Sequence, residues 1–379
     1  MTNYKRLETG VYMKLKYYSL KNILSKNAVY NLIIGERSNG KTYSVQEYII
    51  KKYFETGEVA AIIRRYDTDF KGKNGQDYFL PLCNNGLIEK YSHGEYDRVV
   101  YYRKSWRLGK YNADDEKIEM SDRIFAYAYS LTTTEHDKGG GSGDKITTVL
   151  FDEFLTRSYY LPDEFVLFMN TLSTIIRQRD NVKIFMLGNT VNRYCPYFAE
   201  MGLTNVSKMN KGDIDVYCYG NSALTVAVEY SDGISKNGKP SDKYFAFDNP
   251  KLKMITNGTW EIDIYPHCPT KYAPKNILFT YFIIFNGETL QCEIVNAENN
   301  YFTFIHRKTT PIKNNNTDLI YTPDYNSQPN YRRKITKPVL PIEKRIAEFF
   351  VTDKVFYQDN ETGEIVRNYL QFCVTDKRT

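Results

Sequence analysis

The chain has no C-x-x-C, no histidine at zinc-ligand spacing from a cysteine, no apolar run long enough to cross a bilayer, and only 2 tryptophans in 379 residues. Each absence removes a class of protein. The cysteines, Cys83, Cys195, Cys218, Cys268, Cys292 and Cys373, are scattered, and His267 beside Cys268 is an isolated pair. Free thiols in a reducing compartment are expected, rather than a disulfide framework or a zinc site. The longest apolar run, Ile277 to Phe285, is far too short for a spanning helix. The N-terminal residues carry charge without an apolar core, so no signal peptide is expected. Strong charge bias is missing too. With 51 Lys+Arg against 45 Asp+Glu, the net charge of +6 suits a polyanionic partner without diagnosing one.

What is present fits a folded chain: 42% hydrophobic and 25% charged residues, in a length that suggests two domains. The 34 tyrosines and 21 phenylalanines suit half-buried strand positions, and base stacking is the sharper alternative. Tyr331 to Arg345 gathers Arg332, Arg333, Lys334, Lys337, Lys344 and Arg345 against one acid, Glu343. Both a solvated basic face and a nucleic-acid contact fit it.

The densest signal is "GERSNGKT", Gly35 to Thr42, a complete G-x-x-x-x-G-K-[ST]. Chance alone yields that pattern in roughly one chain of this length per hundred. Its context is what a phosphate loop needs. Val29 to Ile34 reads as a buried strand before it, and Val45, Tyr48, Ile49 and Tyr53 recur at helix spacing after it, with Gly57 as the stop. Successive backbone N–H groups would cradle phosphate, Lys41 would reach the β- and γ-phosphates, and Thr42 would ligate Mg²⁺.

"ITTVLFDEF" is an apolar strand ending in Asp152 and Glu153. Asp152 reads as the metal-side carboxylate and Glu153 as the base that polarises the attacking water. The helix opened by Pro162, Asp163 and Glu164 carries the stripe Phe165, Phe168, Met169, Leu172, Ile175 and Ile176, and ends at Arg177 and Arg179. Those arginines either complement the helix dipole or supply a cation to a neighbour's γ-phosphate. "VKIFMLGNT" ends the next strand, where Asn189 is the candidate γ-phosphate sensor. Further strands are expected at Val59 to Arg64 and Arg123 to Leu131, and "DRVVYYRKSW" reads as a charged hairpin. The glycine-rich Glu135 to Lys145 reads as a connector. Strands alternating with helices predict a parallel α/β sheet.

Beyond Asn205 the texture changes. Ser231 to Lys243 is polar and linker-like, Ile277 onward reads as a hairpin turning at Asn286-Gly287, and "PVLPIEKRIAEFF" reads as a short helix. The expected division is an ATPase domain over 1–205, a linker or lid over 206–270 and a smaller domain over 271–379.

"GERSNGKT", "RRYDTDF", "TTVLFDEF", "YYLPDEFVLFMNTLSTIIRQR", "FMLGNTV" and "CPYF", in that order, resemble the DNA-packaging ATPases of small short-tailed phages, the phi29-like group, which are relatives of terminase large subunits. The resemblance covers about residues 25 to 200. It implies an ASCE-type P-loop ATPase with a central parallel sheet, a linker, and an RNase H-like domain that is a vestigial nuclease. It also implies a homo-oligomeric ring, usually of five, docked on the capsid portal of a procapsid in the host cytoplasm. ATP and Mg²⁺ would drive double-stranded DNA inward, with no membrane involved. Whether an RNA adaptor lies between ring and portal stays open. Carried over by position, Gly35, Gly40, Lys41, Thr42 and Asp152 bind nucleotide and metal, Glu153 is the water carboxylate, Arg37 is the loop arginine of the terminase-like branch and Arg177 is the trans finger. The chain departs from its relatives at Asp67, where a lysine often follows "RRY", which leaves Arg64 and Arg65 as interface candidates. Two other functions stay open: a terminase with an active nuclease, and a non-motor scaffold that binds nucleotide only to order an assembly.

Overall fold

The computed structural model describes residues 4–6, 12–14, 17–133, 146–156, 160–161, 163–177, 179–189, 195–232, 265–268, 270–285, 287–298 and 300–375. The connector at 135–145, the linker-like 233–243, and Pro162, Thr190 and Asn286 lie outside the described residues. The chain divides into two compact units, residues 1–158 with 164–261, and 159–163 with 262–379.

In the first unit a short ladder of β1 (Tyr4–Arg6) and β2 (Tyr12–Lys14) precedes α1 (Lys21–Leu24). The main sheet comprises β3 (Tyr30–Gly35), β4 (Val59–Arg64), β5 (Arg98–Tyr102), β6 (Ser105–Asn112), β7 (Lys117–Ser130), β8 (Ile146–Asp152), β9 (Lys183–Asn189), β10 (Ile214–Cys218) and β11 (Thr225–Tyr230). Helices α2 (Lys41–Thr56), α3 (Lys73–Asp77), α4 (Leu80–Asn84), α5 (Leu87–Tyr91), α6 (Glu164–Ile176) and α7 (Pro196–Glu200) belong to the same unit.

The nine strands run in the order β10-β11-β3-β9-β8-β4-β7-β6-β5. From β11 to β7 every pairing is parallel, and an antiparallel strand or hairpin finishes each edge. The parallel strands are continuous apolar runs because both faces are covered. Ile33, Ile62, Val149 and Phe185 are all fully buried. On α2, Val45 and Ile49 enter the core as the spacing predicts, and Tyr48 packs edge-on against Phe185. On α6 the stripe is narrower than expected. Phe168, Leu172 and Ile175 are buried, but Met169 sits at its margin and is 39% exposed.

The expected boundary at residue 205 falls too early. Strands β10 and β11, inside the stretch read as a linker, complete the main sheet, with β11 parallel to β3. The physical reason is visible in "TVAVEY": Val226, Ala227 and Val228 have no more than 1% exposure, as suits an internal strand. Pairing with a strand some 196 residues earlier is a non-local event that local texture does not announce.

The second unit holds a six-stranded sheet of β12 (Ile277–Phe285), β13 (Glu288–Ala297), β14 (Asn300–Arg307), β15 (Ile320–Tyr321), β16 (Tyr331–Arg332) and β17 (Val355–Tyr357), in the order β16-β15-β12-β13-β14-β17. The strands β12, β13 and β14 form an antiparallel meander, while β15 is parallel to β12, β16 to β15, and β17 to β14. Helices α8 (Pro341–Val351) and α9 (Asn360–Thr375) follow.

Candidate nucleotide site

Four parallel strands, β3, β9, β8 and β4, lie side by side, and their carboxyl ends carry the P-loop, Asn189, Asp152-Glu153 and Arg64-Arg65. The carboxyl edge is where open parallel sheets bind ligands. One strand, β9, separates the P-loop strand from the strand that ends in Asp152.

The P-loop turns at Gly40, whose φ of +96° is a left-handed value that a side chain rarely adopts. This turn starts α2 with its first N–H groups facing the loop. Asn39 is 1% exposed and braces the turn from inside. Its Nδ2 donates to Ser231 Oγ at 3.0 Å, and its Oδ1 accepts from Lys41 N at 3.3 Å. Ser231, the first residue of the linker-like stretch, is therefore part of the loop's support, and its Oγ also donates to Ile34 O at 2.9 Å.

Lys41 Nζ is held by three oxygens: Glu36 O at 2.6 Å, Asn39 Oδ1 at 3.2 Å and Asn189 Oδ1 at 3.4 Å. Burial lowers the Lys41 ammonium to about 8, against the opposing pull of Asp152 and Glu36. Thr42 Oγ1 donates to Asp152 Oδ1 at 3.3 Å. At Asp152 Oδ2, Tyr78 OH donates at 3.0 Å and Arg64 Nη1 at 3.3 Å. Burial pushes the Asp152 carboxyl upward, and Arg64, Tyr78 and Thr42 hold it down, while the Glu153 charge adds to the rise. Glu153 follows in a left-handed conformation, φ +62°, with Oε2 2.8 Å from Arg64 Nη2. A non-glycine residue held there is a sparsely populated state, of the kind found at functional sites.

Arg64 and Arg65, expected at a subunit interface, turn inward instead. Arg64 bridges the two carboxylates. Arg65 is 7% exposed, and its Nε and Nη2 bond both oxygens of Glu164 at 2.8 and 2.9 Å. The reason is their place at the end of β4, next to β8, where the buried Asp152 and Glu164 each need a cation. Asp67 pairs with Lys104 at 3.3 Å and Lys71 at 3.5 Å.

Two expected residues are not drawn in. Arg37 is exposed and has no hydrogen-bond or ion-pair partner among the described residues. Arg177 is exposed beyond the far end of α6, with its Nε bonding Thr174 O at 3.3 Å. Helix α6 has 13 residues, so about 20 Å separates Arg177 from the Glu164 end that adjoins the site. Arg179 instead caps that helix, donating to Ile175 O at 2.7 Å, Ile176 O at 2.9 Å and Ile146 O. Sequence reading missed Tyr78, Asn39, Ser231 and Glu164. Of these only Asn39 carried a signal, as a polar residue inside the motif.

A strand, a glycine-turned loop, a helix with Lys-Thr at its start, and an Asp-Glu pair ending the next strand but one in the sheet define an ATPase of the P-loop class. The model of the podovirus DNA encapsidation protein (Gp16) family matches residues 13–237. The chain belongs to that family. It is 26% identical over 280 residues to the DNA packaging protein of Bacillus phage PZA, covering 73% of this chain and 75% of that protein. The DNA packaging protein of Bacillus phage B103 is 27% identical over 192 residues, half of this chain and 52% of its own length. The Phi-28 gp11 DNA packaging motor shares the fold, with a TM-score of 0.55 and 15% identity over 96% of this chain and 99% of that one.

Proposed function

We propose that this chain hydrolyses ATP to drive double-stranded viral DNA into a procapsid. The observation that carries the reading is the convergence of Lys41, Thr42, Asp152 and Glu153 at one sheet edge, in a member of a DNA encapsidation family.

In this reading the loop N–H groups and the start of α2 receive the phosphates. Lys41 exchanges its bonds to Glu36 O, Asn39 and Asn189 for phosphate oxygens. Thr42 Oγ1 and Asp152 Oδ1 lie 3.3 Å apart, and a neutral and an anionic oxygen side by side suit a small hard cation that keeps its waters. These two residues would hold Mg²⁺, which when bound supplies neutralising charge to the phosphates. Glu153, with a side chain 57% exposed, meets solvent and accepts the proton of the attacking water. Asn189, beside Lys41 Nζ, is placed to read the γ-phosphate. Arg177, about 20 Å along α6 from its own site, serves the nucleotide of the next copy in a ring, usually of five. That ring sits at the portal vertex of the procapsid in the host cytoplasm, directly or through an RNA adaptor.

The second unit is read as an RNase H-like domain without nuclease activity. Its strand order supports the fold: an antiparallel meander, then two parallel strands added beside β12. Strand β12, "ILFTYFIIF", carries no acid for a metal. Glu293 on β13 is engaged by Tyr272 OH at 2.7 Å, Gln291 Nε2 at 2.7 Å and His306 Nε2 at 3.5 Å. Incubation of the full chain with plasmid and Mn²⁺ should leave the DNA intact, and clean nicking would restore the nuclease alternative.

Steady-state ATP turnover with and without duplex DNA and procapsids tests the motor reading. Stimulation is expected, and Lys41→Ala and Glu153→Gln should lose it. Turnover indifferent to both partners would overturn the motor, and no turnover at all would favour a scaffold.

A further inference from the structure

Arg65, 7% exposed, makes four hydrogen bonds to other described residues. Two go to the Glu164 carboxylate, from Nε at 2.8 Å and Nη2 at 2.9 Å. The other two go to main-chain oxygens: Nη1 to Glu153 O at 3.2 Å and Nη2 to Phe154 O at 2.7 Å. Glu164 is the first residue of α6, is 2% exposed, and also accepts from the buried Tyr197 OH at 2.8 Å. The anchor is thus fixed by a helix start and by a ring packed among Phe151, Phe154 and Phe168.

The same turn is held from its other side. Phe154 N donates to Leu187 O on β9 at 3.0 Å. At Gly188 a Cβ would lie 2.7 Å from Leu155 Cδ1, so the absence of a side chain lets the turn press onto the strand. Between these two grips sits Glu153, at φ +62°. A residue in that region reverts unless its surroundings over-determine it.

We propose that Arg65 is a positioning residue for hydrolysis: anchored by Glu164 and Tyr197, its guanidinium clamps the carbonyls of Glu153 and Phe154 and so fixes where the Glu153 carboxylate stands. The proposal rests on the reading of Glu153 as the base. A planar fork with five donors can span a carboxylate and two carbonyls, whereas a lysine ammonium is a single point. Misplacing a catalytic group by about 1 Å can cost on the order of 100-fold in rate.

The experiment compares Arg65→Lys, Tyr197→Phe and Glu153→Gln in the full chain, by ATP turnover, fluorescent-nucleotide affinity and thermal midpoint. Arg65→Lys should lower kcat by about 10- to 100-fold, with KM and nucleotide affinity within about twofold of the parent. Tyr197→Phe, which removes one bond at the anchor, should lower kcat less and in the same pattern. In a Glu153→Gln background Arg65→Lys should add no further loss. A purely structural role would instead lower the midpoint and the affinity together. If Glu153→Gln keeps its turnover, the underlying reading fails. If Glu153→Gln is inactive while Arg65→Lys matches the parent in kcat, only the positioning role fails. Should Arg65→Lys not fold, an unchanged kcat in Tyr197→Phe overturns the proposal.

Discussion

One guanidinium spans two consecutive carboxylates: Arg64 Nη1 lies 3.3 Å from Asp152 Oδ2, and Arg64 Nη2 lies 2.8 Å from Glu153 Oε2. Adjacent residues of a strand normally point to opposite faces, so one side chain rarely reaches both. The left-handed Glu153 ends the alternation and brings its carboxylate back beside its neighbour's.

Arg64→Ala follows from that geometry. Burial raises the Asp152 carboxyl, and Arg64 is the largest influence holding it down. Without the cation Asp152 keeps its proton to higher pH, so the acid limb of the pH–rate profile should move upward. Turnover at neutral pH should fall as well. An acid limb that stays in place would show that Asp152 ionisation does not govern that limb.

Lys41 gives a basic counterpart. Its pKa of about 8 in the free protein must rise when phosphate approaches, because an anion favours the ammonium. Below pH 8 it is already charged, and binding needs no proton. Above pH 8 binding must take one up, so nucleotide affinity should weaken by up to about tenfold per pH unit. The linked stability effect has the opposite sense. The cost of burying the ammonium is full below pH 8 and is relieved as pH rises toward the ordinary value of 10.5. Titrating nucleotide affinity between pH 7 and 9 checks the first statement, and a flat profile would contradict it.

Asp152→Asn and Glu153→Gln should separate. Glu153 contacts no P-loop side chain in the bonds described, so Glu153→Gln should bind ATP normally and lose about 100- to 10,000-fold in turnover. Asp152 bonds Thr42, so Asp152→Asn should also weaken the dependence of nucleotide affinity on Mg²⁺. Affinity measured with and without Mg²⁺ distinguishes the two variants.

Arg177→Ala should abolish DNA-stimulated turnover in uniform assemblies and leave nucleotide binding intact. Mixed with Glu153→Gln subunits, it should regain activity, because each variant supplies what the other lacks. Mixing that restores nothing would argue against a finger acting in trans.

Gly188→Ala tests the tight crossing of the Asp-Glu turn over β9. Its new methyl would lie 2.7 Å from Leu155 Cδ1 and 3.0 Å from Phe154 Cε1. Forcing these buried side chains apart should destabilise the first unit by about 1–3 kcal/mol, read as a lowered midpoint in denaturant.

The P-loop, the buried strand before it, the helix after it and the Asp-Glu pair are legible along the chain, because each is written in contiguous residues with a local pattern. Ile277 to Phe285 and Pro341 onward were legible for the same reason. Which distant groups complete the site depends on the fold. Tyr78 reaches Asp152 from a different element, Ser231 braces Asn39 across 192 residues of separation, and Arg64 and Arg65 reach Asp152 and Glu164. Parallel pairing sets those encounters by strand order, and strand order depends on non-local contacts that leave no periodic mark along the chain. The same holds for β11: its apolar letters allowed a strand, and only its place beside β3 made it part of the ATPase sheet.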